Sequence, residues 1–109
     1  MNKKDLKRRS LTFLLQQDYI RQLIINYLLQ TQFLIGVSFY ELSEYKESAY
    51  YFEFIYELYK DYASINYMLG RCYLSGKIFS IEKAKKYFSI AQKLGVNLPN
   101  EIQEILESK

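Results

Sequence analysis

The chain has 109 residues, of which half are hydrophobic and a quarter are charged, a composition that suits one small folded domain and argues against a disordered chain. It contains no histidine and a single cysteine, Cys72, so histidine-based catalysis, histidine metal ligands and an internal disulfide are excluded. The lone cysteine fits a reducing compartment, and we expect a cytoplasmic protein.

The start of the chain carries a cluster of basic residues, Lys3, Lys4, Lys7, Arg8 and Arg9, which supply much of the net charge of +3. From residue 10 onward ten basic residues stand against eleven acidic ones. The cluster has three interpretations: a solvated terminus, a contact with phosphate groups or an anionic membrane, and an organelle-targeting peptide. No uninterrupted run of 18 apolar residues occurs, so we expect no membrane span. Nucleic acid is not an expected partner.

The first predicted element is a helix over residues 5–28, because no Gly or Pro interrupts this stretch. Apolar residues begin at helical spacing and then cover most of the circumference: Leu11, Leu14, Leu15, Tyr19, Leu23, Ile24, Ile25, Tyr27 and Leu28. A helix that is apolar nearly all round must be covered from more than one side. We therefore expect part of that cover to come from another chain, as in a homodimer or a larger complex.

Two copies of one pattern follow, 34 residues apart (70 − 36 = 34). The first copy has Leu34-Ile35-Gly36 with Phe39, followed by Tyr45, Ser48, Phe52 and Ile55; the second has Met68-Leu69-Gly70 with Tyr73, followed by Ala84, Phe88 and Ala91. Small residues allow the backbones of two antiparallel helices to approach closely, and a neighbouring aromatic side chain fills the remaining gap. The pattern therefore predicts two helical hairpins.

Start and stop signals give the bounds of these helices. The first hairpin should consist of helices over about 30–42 and 44–60, with Ser43 as the N-cap of the second helix. The second hairpin should consist of helices over about 63–75 and 81–94, with Ser80 as N-cap and Gly95 as terminator. Its turn is two residues longer, because Gly70 to Ala84 is fourteen residues and Gly36 to Ser48 is twelve.

A last short helix is predicted after Pro99, which suits a helix start. Ile102, Ile105 and Leu106 recur at helical spacing, so this helix should cover the second hairpin and leave its glutamates in water.

At these positions the sequence resembles the tetratricopeptide (TPR) family, and the longer second turn is similar to that of the Sel-like repeats. The resemblance covers roughly residues 29–95. It implies an all-α, TPR-like α-α superhelix in a single domain over 1–109, with repeats over about 29–62 and 63–95. Two capping helices, over about 5–28 and 98–108, would complete the domain, because each repeat buries its face only against a neighbour.

The resemblance also implies a concave wall formed by the first helix of each repeat. Its residues would be Gln30, Phe33, Val37, Tyr40, Ser64, Tyr67, Arg71 and Leu74. Such an apolar, aromatic wall with one cation suits a partner helix or extended peptide that offers hydrophobic anchors and one carboxylate or carbonyl group. In the alternative interpretation, the aromatic residues pack against the chain's own N-terminal helix.

We therefore expect a protein–protein interaction module that acts as an adaptor, chaperone, scaffold or assembly subunit. Two alternatives are a structural subunit or homodimer joined through the N-terminal helix, and a holder of a hydrophobic substrate similar to type III secretion translocator chaperones. The Lys and Asn residues with which some TPR proteins clamp a carboxylate are replaced here by Phe33 and Val37. We expect no enzymatic activity, catalytic residue, metal or cofactor, with Cys72 as a core residue.

Overall fold

The computed structural model describes residues 2–108, and these residues are all-helical with no strand. The α-helices are α1 (Lys3–Glu41), α2 (Tyr45–Leu58), α3 (Ala63–Tyr73), α4 (Ile81–Lys93) and α5 (Asn100–Glu107), and a 3-10 turn spans Gly76–Ile78. The predicted all-α class is confirmed. The described residues divide into two compact units, an N-terminal unit over 2–31 and a hairpin unit over 32–108.

The first helix is longer than predicted. The sequence predicts one helix over about 5–28 and a second over about 30–42, but α1 continues without a break from Lys3 to Glu41. The predicted break is therefore wrong. Its physical reason is local: residues 28–32 read Leu-Leu-Gln-Thr-Gln and contain neither a breaker nor a turn signal. The hydroxyl of Thr31 bonds back to the carbonyl of Tyr27 at 2.8 Å, within the helix.

The composition of α1 also bears on membranes. This helix is long and apolar enough to cross a membrane, with a mean hydropathy of 1.3 over its best 18 residues, and residues 22–40 contain no charged side chain. The expectation of no membrane span rested on the absence of an unbroken apolar run. A helix in which uncharged polar residues interrupt the apolar ones reaches this hydropathy as well. Core helices of soluble proteins and signal sequences have the same property.

The turn between α1 and α2 differs from the prediction. Ser43 does not cap α2; it has a positive φ of 63°, and Glu44 precedes the helix without a side-chain cap hydrogen bond. The amide of Glu44 instead donates to the carbonyl of Phe39 at 2.9 Å. With so few residues between the two helices, one of them must take the left-handed conformation to reverse the chain, and Ser43 occupies that position.

The signals around α4 were interpreted correctly. The Ser80 hydroxyl accepts a hydrogen bond from the Lys83 amide at 3.3 Å, as expected of an N-cap. Gly95 follows the helix with φ of 104°, and the Val96 amide bonds to the carbonyl of Ala91 at 3.0 Å, a helix end of the Schellman type. The two additional residues of the preceding turn form part of the 3-10 segment Gly76–Ile78.

The hairpin unit is built around two close contacts between a glycine and an aromatic ring. A Cβ atom placed on Gly36 would lie 2.8 Å from ring atoms of Phe52, and one placed on Gly70 would lie 2.7 Å from ring atoms of Phe88. No side chain fits at that distance. The close approach that the small residues predicted is therefore present at both glycines.

The aromatic side chains around these glycines pair in the same way in both hairpins. Edge-to-face pairs join Phe33 to Phe52, at 5.6 Å between centroids, and Tyr67 to Phe88, at 5.8 Å. Stacked pairs join Phe39 to Tyr51 at 5.6 Å and Tyr73 to Tyr87 at 5.9 Å. Equivalent aromatic residues in the first helices of the two hairpins are 34 residues apart, and those in the second helices are 36 residues apart. The difference arises because the turn of the second hairpin is two residues longer.

The core of the hairpin unit joins both hairpins. The side chains at or near zero exposure include Ser48, Phe52, Ile55, Ile65, Asn66, Leu69, Cys72, Ala84, Phe88 and Ala91. The Cys72 thiol lies 3.4 Å from the Ser48 hydroxyl, which donates to the Gly36 carbonyl at 2.6 Å. The prediction that Cys72 is a core residue is confirmed. Burial raises the pKa of the Cys72 thiol, partly offset by the Ser48 contact.

Helix α5 covers α4. Ile102 of α5 and Leu98 before it pack with Ala84 and Phe88 in one hydrophobic cluster, so α5 closes the open side of the second hairpin. The glutamates of α5 face solvent, as predicted: Glu101, Glu104 and Glu107.

Candidate functional site

The predicted wall contains one group with defined polar geometry, the guanidinium of Arg71. Its Nε–H donates to the phenol oxygen of Tyr40 at 3.1 Å. Its Cζ lies 5.3 Å from the centroid of the Tyr40 ring and 5.8 Å from that of Tyr67, within the range of a cation–π contact. α1 supplies Tyr40 and α3 supplies Tyr67 and Arg71, so the site joins the two hairpins. We call Tyr40, Tyr67 and Arg71 the arginine site.

The arginine site stays cationic. Partial burial acts to lower the pKa of Arg71, but the hydrogen bonds and charges of Tyr40 and Tyr67 outweigh it and the net pKa is raised. Arg71 remains exposed, and its Nε is bound to the phenol of Tyr40. A guanidinium has five N–H donors in a fixed fork, so a bond at Nε leaves donors on the terminal nitrogens of a kind that suits a carboxylate or carbonyl group.

The other predicted wall residues have different surroundings. Phe33 packs against Phe52, and Leu74 is half-buried against the cluster that α5 covers. Val37 is half-buried and Ser64 is exposed. Gln30 is exposed and belongs to the N-terminal unit. The structure therefore brings together Tyr40, Tyr67 and Arg71, whereas Phe33 is committed to its own hairpin.

A second polar cluster, which the sequence did not predict, surrounds Glu53. The carboxylate of Glu53 in α2 accepts hydrogen bonds from the phenols of Tyr73 in α3, at 2.9 Å, and Tyr87 in α4, at 2.9 and 3.1 Å. The Lys86 ammonium lies 5.0 Å from the centroid of the Tyr87 ring, and that of Lys83 lies at the same distance from the Tyr73 ring. Three helices thus meet at one carboxylate. Neither spacing nor residue type distinguishes Glu53 from the solvent-facing glutamates.

The two phenols bound to Glu53 are shifted away from ionisation. Burial raises the pKa of both Tyr73 and Tyr87, and the hydrogen bond and negative charge of Glu53 raise it further. Both tyrosines therefore stay protonated and act as donors to the carboxylate at neutral pH. This arrangement is suited to joining the hairpins and leaves no basic phenolate for proton abstraction.

Removal of the Glu53 carboxylate should loosen the contact between the hairpins. We expect Glu53→Ala to lower the free energy of unfolding by about 1–3 kcal/mol, because the largely buried phenol of Tyr87 loses its acceptor. Urea denaturation followed by circular dichroism measures the change. Glu57→Ala, one turn further along α2 and exposed, is the matched control and should change stability by no more than about 0.5 kcal/mol. Equal effects of the two substitutions would contradict the role of Glu53.

Within residues 2–108, no group of three or more His, Cys, Asp or Glu side chains could hold a metal ion. Comparison of the chain with protein-family models, with curated proteins and with solved structures yields no match.

Proposed function

We propose that this chain is a TPR-like protein-binding module in which the first helices of two hairpins form a wall that recognises a peptide or helix of a partner. The observation that carries the proposal is the repeated packing around Gly36 and Gly70. Each glycine lies against one phenylalanine, and each phenylalanine pairs with the aromatic residue three positions before the glycine. The same packing inside two successive hairpins is what a repeated structural unit requires, because each unit of a helical repeat has one internal design and contacts its neighbours.

The arginine site supplies the polar part of recognition. Its guanidinium is held on the aromatic rings of two helices, so less side-chain freedom is lost when a ligand binds. Val37 in α1 and Leu74 at the end of α3 are only half-buried and leave some apolar surface on the same two helices. A ligand with hydrophobic anchors and one carboxylate or carbonyl group matches this combination. Roles as an adaptor, as an assembly subunit or as a holder of a hydrophobic secretion substrate all use this same surface.

The proposal predicts that peptide binding depends on Arg71. Peptides are first selected on the wild-type protein from a displayed library, and their affinities are then measured by fluorescence anisotropy. We expect Arg71→Ala to weaken binding by about 10- to 100-fold, since a hydrogen bond to a charged group contributes about 1.5–3 kcal/mol. Tyr40→Phe, which removes only the phenol that orients the guanidinium, should give a smaller loss.

Lys93→Ala is the matched control, because Lys93 is an exposed cation in the last turn of α4. It should leave affinity unchanged, and circular dichroism should show the same helical content in all variants. Selection that yields no binding peptide, or affinities that are equal for wild type and Arg71→Ala, would contradict the proposal.

A further inference from the structure

The N-terminal unit combines basic and apolar side chains on one exposed helix segment. The side chains of residues 3–28 are all exposed except that of Ile25. The large apolar ones, which are between 50% and 71% exposed, are Leu6, Leu11, Phe13, Leu14, Leu15, Tyr19, Ile20, Leu23, Ile24, Tyr27 and Leu28. So large a set of exposed apolar side chains indicates an interaction surface.

Charge separates the two units. Residues 2–31 contain six basic and two acidic side chains, a net charge of +4 (6 − 2), whereas residues 32–108 contain eight basic and ten acidic ones, a net charge of −2 (8 − 10). Five of the six cations precede residue 10. The exposed apolar segment is therefore linked directly to a cluster that attracts anionic surfaces.

We propose that residues 3–28 bind the surface of an anionic lipid membrane. The basic cluster contacts lipid headgroups, and the leucine and aromatic side chains on the side of the helix that faces the membrane enter the boundary between headgroups and acyl chains. Binding at this depth depends on both buried apolar area and electrostatic attraction to anionic lipids. The inference goes beyond the proposed peptide-binding function, which uses the hairpin unit.

Two features favour surface binding over a membrane span. Asp18 and Arg21 lie in the middle of the apolar segment, where a charge in the bilayer core is costly. The uncharged stretch over residues 22–40 continues into the hairpin unit, where Gly36 is packed against Phe52 and its carbonyl is bound by Ser48. A span over that stretch would break this packing.

The apolar residues also decide between a lipid surface and nucleic acid. Phosphate binding to nucleic acid would use the basic cluster, but it would leave the side chains over residues 11–28 in water. A lipid surface would bind the basic cluster and bury the apolar side chains on the side of the helix that faces it, so it uses both parts of the segment.

The first experiment measures co-sedimentation of the full chain with vesicles. Vesicles of phosphatidylcholine and phosphatidylserine in a two-to-one ratio should bind the protein, and vesicles of phosphatidylcholine alone should bind at least about tenfold more weakly. High salt should reduce binding to the anionic vesicles, because exposed charges are screened. Failure of the anionic vesicles to bind would overturn the proposal.

The second experiment tests the cations with two matched variants. Lys4, Lys7 and Arg8 are changed together to glutamine, and binding to the anionic vesicles should fall at least about tenfold. The control changes three exposed lysines of the hairpin unit, Lys46, Lys77 and Lys93, to glutamine. It should retain most of the binding, and an equal loss in both variants would overturn the assignment to the N-terminal cluster.

The third experiment tests the apolar side chains in the same way. Leu14→Gln with Leu15→Gln removes leucines that are 55% and 68% exposed, and Leu42→Gln with Leu58→Gln removes leucines that are 71% and 59% exposed. Only the first pair should weaken vesicle binding, by about tenfold or more. An unchanged affinity of the first pair would overturn insertion of the apolar side chains.

Two further outcomes would overturn the proposal. If the protein stays with the vesicles after extraction with alkaline carbonate, its helix spans the membrane, whereas surface binding predicts release. Binding to a fluorescent DNA oligonucleotide without binding to the vesicles would identify nucleic acid as the ligand. Neither outcome depends on the arginine site, so the peptide-binding proposal is tested separately.

Discussion

Phe88→Ala is expected to lower the free energy of unfolding by about 3–5 kcal/mol. The Phe88 ring is fully buried, and it contacts Gly70, Tyr67 and the cluster that α5 covers. Its removal leaves a cavity at the place where α3, α4 and α5 meet. A domain of this size has a stability of only about 5–15 kcal/mol, so this substitution should remove a large share of the stability. Urea denaturation followed by the near-ultraviolet circular dichroism of tyrosine measures the loss.

Phe54→Ala provides the comparison for this substitution. Phe54 is of the same residue type, but its side chain is 53% exposed in α2, and its removal should change stability by about 0.5 kcal/mol or less. A Phe88→Ala protein as stable as the Phe54→Ala protein would show that the ring does not support the core.

Gly70→Val is expected to lower the free energy of unfolding by about 3 kcal/mol through overpacking. A Cβ atom at this position would lie 2.7 Å from ring atoms of Phe88. Because the Phe88 ring is fully buried, the valine can be accommodated only if α3 and α4 separate. Gly36→Val should have an effect of the same sign, because its Cβ atom would meet Phe52 at 2.8 Å. Thermal and urea denaturation measure both substitutions.

Ser64→Val is the matched control, since Ser64 is exposed in the same helix and the substitution introduces the same β-branched side chain. Its effect should stay within about 0.5 kcal/mol. The double variant Gly70→Val with Phe88→Ala should lose less stability than the sum of the two single variants, because the valine occupies space that the ring leaves. Additive losses would show that the glycine and the ring are not in direct contact.

The hairpins were predictable because their signals are local. A glycine that admits a ring, a serine before α4 and a glycine after it each act within a few residues, and the sequence shows them directly. Gly70, Ser80 and Gly95 have the positions that their residue types indicated. The lengthened turn could be counted from the spacing of Gly70 and Ala84 alone.

The errors arose where several residues decide the conformation together. Ser43 is a good N-cap by type, but the short connection between α1 and α2 required a left-handed residue there. The predicted end of the first helix had no capping residue to mark it, and the helix continued to Glu41. Residue type alone could not choose between these outcomes.

The polar contacts of the sites were predictable only in part. The resemblance to the TPR family predicted Arg71 near Tyr40 and Tyr67, but the hydrogen bond that orients the guanidinium depends on how the two hairpins pack. The role of Glu53 could not be predicted, because its two phenol donors are far from it in the sequence. Tyr73 of α3 is 20 residues further along the chain and Tyr87 of α4 is 34 residues further. Such long-range contacts follow from tertiary structure.

The 3-10 turn over Gly76–Ile78 makes the two hairpins unequal in a way that limits engineering. It contacts α2 as well as α3, and a Cβ atom on Gly76, whose φ is 61°, would lie 2.9 Å from the ring of Tyr45. The loop of the second hairpin is therefore shaped to the start of α2 in the first. Exchanging the order of the hairpins, or concatenating copies of the second, would leave this loop facing a different neighbour. Designers who extend the protein should keep the native order and insert new units after α4.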